Sequence, residues 1–199
     1  MSRKQDIYVS VDIECTGPCP GLNSMISIGA VACIEADNER GFTVVSEFAE
    51  NLRELEGSRR DLDTMQFWAK NPNAWRAATY YPSPADQVIR SLVAWAESLP
   101  GRPVFCAFPA GFDFTFVYYY CHRFVGRCPF GYAALDMKSY AHAIMGGRLS
   151  KAAKRYMPKE WHDPNAKHTH VALEDAREQA YLFFQMRRAA KKLRQEVDD

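Results

Sequence analysis

Five side chains in this sequence are of types that hold hard cations or move protons, and they fall in three places. Asp12 and Glu14 stand two apart, Asp113 stands alone in mid-chain, and His170 precedes Asp175 by five residues. Two steps along an extended strand return to the same face, so Asp12 and Glu14 project side by side. No Lys or Arg lies near them in sequence to neutralise the pair. Adjacent like charges in a half-buried place are costly unless a cation binds between them, and oxygen ligands suit Mg²⁺ or Mn²⁺. A pair of surface acids at a strand end is the plainer alternative, since D-x-E is a common string. Asp113 is the only charged residue between Arg102 and Arg123, in a stretch rich in Phe and Tyr. A lone carboxylate there needs a partner, whether a cation or the positive end of a helix. Five steps of 100° would put His170 and Asp175 about 140° apart on one helix. They converge only if His170 sits in the preceding loop and Asp175 in the first helical turn. There Asp175 is stabilised as an anion, and an imidazole near neutrality suits a general base.

The elements that must position these groups are legible from periodicity. Ile7–Ile13 alternates, with Val9, Val11 and Ile13 on one face and Tyr8, Ser10, Asp12 and Glu14 on the other, which predicts a strand ending at Thr16-Gly17-Pro18. The nearly continuous apolar run Met25–Ile34 predicts a strand buried on both faces, and Phe42–Phe48 a third. Asp61–Trp75 reads as helical with a break at Asn71-Pro72. Ser83-Pro84-Ala85-Asp86 reads as a helix start with Ser83 as cap, and the stripe Val88, Leu92, Trp95, Leu99 runs on to Pro100-Gly101. Pro103–Phe108 is a short strand, Phe112–Phe124 an aromatic-rich helix and Tyr132–Leu135 the last strand. Everything after reads as helical, ending in Leu173–Arg194. The expectation is a single α/β domain over 1–199.

Composition sets the outer bounds. With 199 residues, 47% hydrophobic and 25% charged, the chain is one ordinary globular domain, not collagen, coiled coil or a disordered segment. No apolar run reaches the roughly 20 residues a membrane span needs, and the first residues lack a signal peptide's apolar stretch. A cytoplasmic protein without membrane association is expected. The cysteines (15, 19, 33, 106, 121 and 128) form no C-x-x-C pair, so reduced, mostly buried thiols are expected. Net charge is +1, unevenly spread: −3 over residues 1–147, +7 over 148–194 and −3 over the last five. An acidic body beside a basic quarter fits cation binding next to a polyanion, and equally fits a solvated helix face.

Together the three acidic elements resemble the exonuclease motifs of the DEDDh 3′–5′ exonucleases, the family of RNase T, oligoribonuclease and the DnaQ-type proofreading subunit. Asp12-Ile13-Glu14-Cys15-Thr16-Gly17 is similar to the family's D-x-E-T-T-G element, with Cys15 where the first Thr is usual. Ala107–Phe116 resembles its second motif, Leu135-Asp136-Met137-Lys138-Ser139 its D-x-x-S/L strand end, and His170 to Asp175 its H-x4-D. Val171 stands where the sister branch would carry Tyr, which indicates the histidine branch. The resemblance runs from about residue 6 to 188.

It implies an RNase H-like fold, a five-stranded mixed sheet flanked by helices with the second strand antiparallel. It implies two Mg²⁺ or Mn²⁺ ions: Asp12 bridging both, Glu14 and Asp175 completing the first, Asp113 holding the second, and His170 taking a proton from the attacking water. It also implies substrate contacts at Cys15, Thr16, Gly17, Trp68 and Phe112. The expected activity is metal-dependent 3′–5′ hydrolysis of single-stranded or short nucleic acid to nucleoside 5′-monophosphates, RNA being favoured over DNA. A proofreading-type DNA exonuclease and a silent nucleic-acid-binding domain are the alternatives. The partners are single-stranded RNA or DNA 3′ ends, with homodimerisation left open. Thr64-Met65-Gln66-Phe67-Trp68 is similar to the short exoribonuclease branch; core packing competes with base stacking as the role of Trp68. Arg148, Lys151, Lys154 and Arg155 at helical spacing are the candidates for phosphate contact, ahead of the basic cluster over 187–194. His162 and His168 suggest a third metal site only weakly.

Overall fold

The strand that carries Asp12 and Glu14, β1 (Asp6–Cys15), lies at the centre of a five-stranded sheet. The computed structural model describes residues 5–166 and 169–198. β2 (Met25–Glu35) and β3 (Phe42–Asn51) follow as an antiparallel meander on one side of β1. On the other side β4 (Arg102–Ala107) and the two-residue β5 (Leu135–Asp136) run parallel to it, giving the order β3-β2-β1-β4-β5. The sheet is mixed and its second strand antiparallel, as expected.

Alternation on β1 sorts two cores. Ile7, Val9, Val11 and Ile13 pack under α3 (Ala85–Ser98) and α4 (Ala110–Val125), against Ile89, Leu92, Phe116 and Tyr120. The opposite face lies under α5 (Met137–Met145) and the long α6 (Ala172–Asp198), where Tyr8 meets the rings of Phe183 and Phe184 at 5.1 and 5.9 Å. Asp12 and Glu14 share this second face with Tyr8. α1 (Leu62–Lys70) and α2 (Pro72–Ala78) pack against Ile26 through Trp68 and Ala74.

Gly29 brings α6 to the site. It pairs with Asp12 across β1–β2, and a Cβ there would lie 2.3 Å from the backbone of Ala172 and Leu173. Only a residue without a side chain lets the first turn of α6 rest on the sheet beside Asp12.

Three expectations need correction. The last strand is Leu135–Asp136 rather than Tyr132–Leu135, because Gly131 is left-handed and Tyr132 is exposed in a turn. Residues 148–155 do not form a helix: Gly146-Gly147 before them and Pro158 after leave only the single 3₁₀ turns Leu149–Lys151 and Lys154–Tyr156, with a third at Lys159–Trp161. Ser83 does not cap α3. Its N–H donates to the Asn51 carbonyl at 2.9 Å and its carbonyl accepts from Arg53 at 2.8 Å, so the extended cap position passes to Pro84. The break at Asn71-Pro72 falls where expected and separates α1 from α2. All six cysteines are free thiols, four of them buried.

Candidate active site

β1 outruns its parallel neighbour, and this shapes the site. The β1–β4 ladder ends at Ser10 opposite Cys106, leaving the Ile13 N–H beyond it without a strand partner. Asp113, in the first turn of α4, accepts from that N–H at 3.1 Å. The bond ties Asp113 to the strand segment bearing Asp12 and Glu14. Asp113 is only 4% exposed, and burial outweighs the Ile13 bond, pushing its carboxyl up to about 7. A carboxylate held so dry favours a cation beside it. Asp12 accepts from the side-chain amide of Gln179 on α6 at 2.6 Å.

The loop before α6 supplies the rest. Asp175 is buried, with one oxygen accepting from the Thr169 N–H and the other from the His170 N–H, each at 3.0 Å. The carboxylate thus fastens the loop back onto the first turn of its own helix. The Thr169 hydroxyl adds a bond to Glu174 at 2.8 Å. Held this way, His170 takes a left-handed backbone at φ 56°, an uncommon conformation for a residue with a side chain. Its ring stands edge-on to Phe67 at 4.9 Å. Glu14, His170 and Asp175 each bring a ligand-type atom into one cluster, all within 4.8 Å of one another. His170 does sit on a loop and Asp175 in the first turn, the only arrangement in which the two converge. His168 lies outside the described residues, and the suggestion of a histidine pair with His162 lies there with it.

Beside Glu14 opens a cleft of about 390 Å³ lined by Ile13, Glu14, Cys15, Gly17, Pro18, Asp63, Thr64, Phe67, Trp68 and Phe112. Of the residues expected to touch substrate, Cys15, Gly17, Trp68 and Phe112 line it, and Thr16 does not. Trp68 is largely turned into the core, 3% exposed, and its indole N–H donates to the Cys15 carbonyl at 2.9 Å; the exposed ring at the cleft is Phe67. Cys15 is buried, and burial pushes its thiol up to about 12, so it is a neutral packing group. Thr16 is wholly buried and committed elsewhere. Its N–H donates to the Ser24 carbonyl, its carbonyl accepts from Asp61, and its hydroxyl accepts from the Ser24 N–H. Gly17 is required because a Cβ would strike the Asn23 side chain at 2.4 Å.

The basic residues divide. On α6, Arg187 grips Glu35 of β2 through two bonds at 3.1 and 3.0 Å, Lys191 joins the same carboxylate at 2.8 Å, and Arg177 pairs with Glu47 of β3. That part of the cluster clamps the helix to the sheet. In the 3₁₀ segment, Lys154 pairs with Glu178 at 2.7 Å, while Lys151 and Arg155 lie over the ring of Tyr156. The Lys154 charge also acts to lower the Asp113 carboxyl.

The 3′-5′ exoribonuclease Rv2179c-like domain model matches residues 7–186. The chain belongs to this family. It is a 3′–5′ exonuclease. Over the whole domain it is similar to the 3′-5′ DNA exonuclease Cap18 of Escherichia coli, at 33% identity with 92% of each chain covered. Among solved structures it is similar to the nuclease domain of 3′hExo, a DEDDh family member bound to rAMP, with TM-score 0.68, 11% identity and 92% of both chains covered. It is also similar to the E. coli ExoI–ssDNA complex, with TM-score 0.61, 12% identity, 95% of this chain and 41% of that one covered. These structural likenesses establish the RNase H-like fold of the DEDDh exonucleases. Among the described residues, no helix of this family member is long and apolar enough to cross a membrane. Gln179 is the site residue that sequence reasoning missed. An amide inside a long amphipathic helix carries no motif, and only its position four residues after Asp175 hinted that it faces the same way.

Proposed function

We propose that this exonuclease is metal-dependent and trims single-stranded 3′ ends to nucleoside 5′-monophosphates. The observation that carries the reading is the convergence of Glu14, His170 and Asp175 within 4.8 Å, with the buried Asp113 bonded to the strand backbone between Asp12 and Glu14. The donor set fits a hard divalent cation: carboxylate oxygens from two strand positions and two helix starts, one of them dry enough to be driven toward neutrality without a cation. Asp12, Glu14, Asp113 and Asp175 would hold two Mg²⁺ or Mn²⁺ ions. When bound, such ions neutralise the charge that builds on the attacking and leaving oxygens of an in-line phosphodiester displacement.

The chain's own residues supply positioning and proton transfer. Asp175 fixes the loop through the Thr169 and His170 N–H groups, so that the neutral imidazole of His170 faces the carboxylates and accepts the proton of the attacking water. Phe67 braces the imidazole from the side and, with Phe112, walls the cleft beside Glu14. That cleft takes the terminal base, where stacking is worth about 1–3 kcal/mol.

The relative matched over 92% of both chains is a DNA exonuclease, which supports DNA as the substrate polymer. RNA is the second reading, supported by the description of the family. The test is a time course on 5′-labelled single-stranded DNA and RNA of one sequence, with Mg²⁺, Mn²⁺ or excess EDTA. The reading expects ladders shortening from the 3′ end, no cleavage in EDTA and blockage by a 3′-phosphate. Full activity in EDTA, or equal cutting of circular strands, would overturn it.

A further inference from the structure

Two polar atoms are stranded at the interface of β1 and α6, and they lie next to the site. Gln179 is 1% exposed and Ser10 3%. The Gln179 amide nitrogen donates to Asp12, which leaves its oxygen, Oε1, buried with no hydrogen-bond partner among the described residues. The amide cannot be the other way round, because a carboxylate accepts and Oε1 has nothing to donate. The Ser10 hydroxyl is stranded in the same sense. Each such group costs free energy in proportion to its dryness, so two in one interface call for a physical account.

Register shows what they share. Tyr8, Ser10 and Asp12 alternate onto one face of β1. Tyr8 at one end meets Phe183 on α6, with Arg187 4.6 Å above its ring, and Asp12 at the other end meets Gln179. Ser10 lies between these two contacts on the same strand face, and in the structure its hydroxyl and Gln179 Oε1 are not bonded to each other.

We propose that Gln179, supported by Ser10, is a positioning residue for Asp12. Its amide nitrogen fixes one carboxylate oxygen of Asp12, and its carbonyl takes the Ser10 hydroxyl as donor when the site is assembled. A hydroxyl donating to an amide carbonyl polarises the amide and strengthens the N–H bond at its other end. The burial cost of the amide is therefore retained at one place in the helix, where it sets the orientation of the carboxylate that shares a strand face with Glu14. Side chains that orient ligands in this way typically change metal affinity or activity about 10–100-fold when removed.

The inference rests on the metal-dependent reading above. Its test is Gln179→Leu, which keeps the volume and removes both polar atoms, with Ser10→Ala and the double variant. Mn²⁺ binding is followed by titration, alongside kcat and KM on a single-stranded oligonucleotide and melting of the metal-free protein. Gln179→Leu should weaken Mn²⁺ binding about 10–100-fold. It should lower kcat with KM nearly unchanged and keep a cooperative melt. Ser10→Ala should have the same effects at smaller scale, and none on top of Gln179→Leu. Wild-type Mn²⁺ affinity and kcat in a folded Gln179→Leu protein would overturn the proposal. If Gln179→Leu does not fold, Ser10→Ala decides: unchanged affinity and kcat overturn it, and a joint loss supports it. If the wild-type protein binds no Mn²⁺, the metal reading falls by itself. Metal-free melting of the three variants then judges the Ser10–Gln179 link, and additive shifts would refute it.

Discussion

The site has two halves that are held in different ways. Asp12, Glu14 and Asp113 belong to the sheet: two ride on the central strand, and the third is bonded to the backbone of that strand. His170 and Asp175 belong to a loop and a helix start, and the loop is fastened by the very carboxylate that joins the cluster. In the strand half, the ladder that carries Asp12 and Glu14 is made by backbone groups, and the acids add single bonds to it from α4 and α6. In the loop half chemistry and architecture are one, because Asp175 serves as ligand candidate and as clamp. A site so built pairs acids carried by the sheet with a histidine whose loop is bonded to the helix start that follows it.

Asp12→Ala against Asp175→Ala should break the two halves apart most clearly. Both should abolish turnover. Asp12→Ala relieves repulsion among acids but strands the buried Gln179 amide, so without metal it should melt closer to the wild type than Asp175→Ala does. Asp175→Ala strands the Thr169 and His170 N–H groups and should cost about 1–3 kcal/mol as well. Equal melting of the two variants would mean that the loop does not depend on Asp175.

His170→Ala should come next, with a loss of about 10²–10⁴-fold in kcat as expected for a general base. Its Mn²⁺ affinity, measured in parallel, should stay near that of the wild type. An affinity loss matching the rate loss would make His170 a ligand, an outcome its closeness to Glu14 and Asp175 permits.

Gly29→Ala acts on the seam between the halves. A methyl group 2.3 Å from the Ala172 backbone must push α6 off β2, at a cost of about 1–3 kcal/mol, and should lower activity without touching any acid. Denaturant melts and rates on one preparation check this; wild-type values in both would show that α6 does not need the close approach.

The smallest effect lies far from the chemistry. Glu35 is partly buried, which raises its carboxyl, but the bonds from Arg187 and Lys191 outweigh burial and hold it below the ordinary value of 4.5. The folded protein therefore binds this proton less readily than the unfolded chain. The stabilisation is present above pH 4.5 and is lost as pH falls through the folded value. The pair is half-exposed and worth under about 1 kcal/mol. Glu35→Gln should reduce stability slightly at pH 7, and the difference from wild type should vanish once the pH has fallen below the folded value. A constant difference across that range would show that the clamp is not electrostatic.

Much of this was open to reading along the chain. The alternation of β1 placed Asp12 and Glu14 on one face, and the angular argument put His170 before the helix and Asp175 in its first turn. Those are local rules of 180° and 100° per residue, and no distant residue can alter them. Other features were not local. The 148–155 segment has helical spacing but is hemmed by glycines and a proline. The sequence leaves Trp68 open between core packing and base stacking and offers Thr16 for substrate contact; in the fold the indole bonds to Cys15 and the threonine spends every polar atom on Ser24 and Asp61. Which of two jobs a side chain takes depends on partners tens of residues away.

By itself, then, the sequence determined the order of the elements, the faces on which the acids lie and the loop position of the histidine, because each follows from backbone periodicity. Only the tertiary structure decided that Asp113 reaches the Ile13 N–H, that Gln179 holds Asp12 and that the basic residues of α6 grip the sheet. Those contacts join residues 100 or more apart in the chain. They exist because β1 outruns β4 and because Gly29 lets a helix lie against the strand.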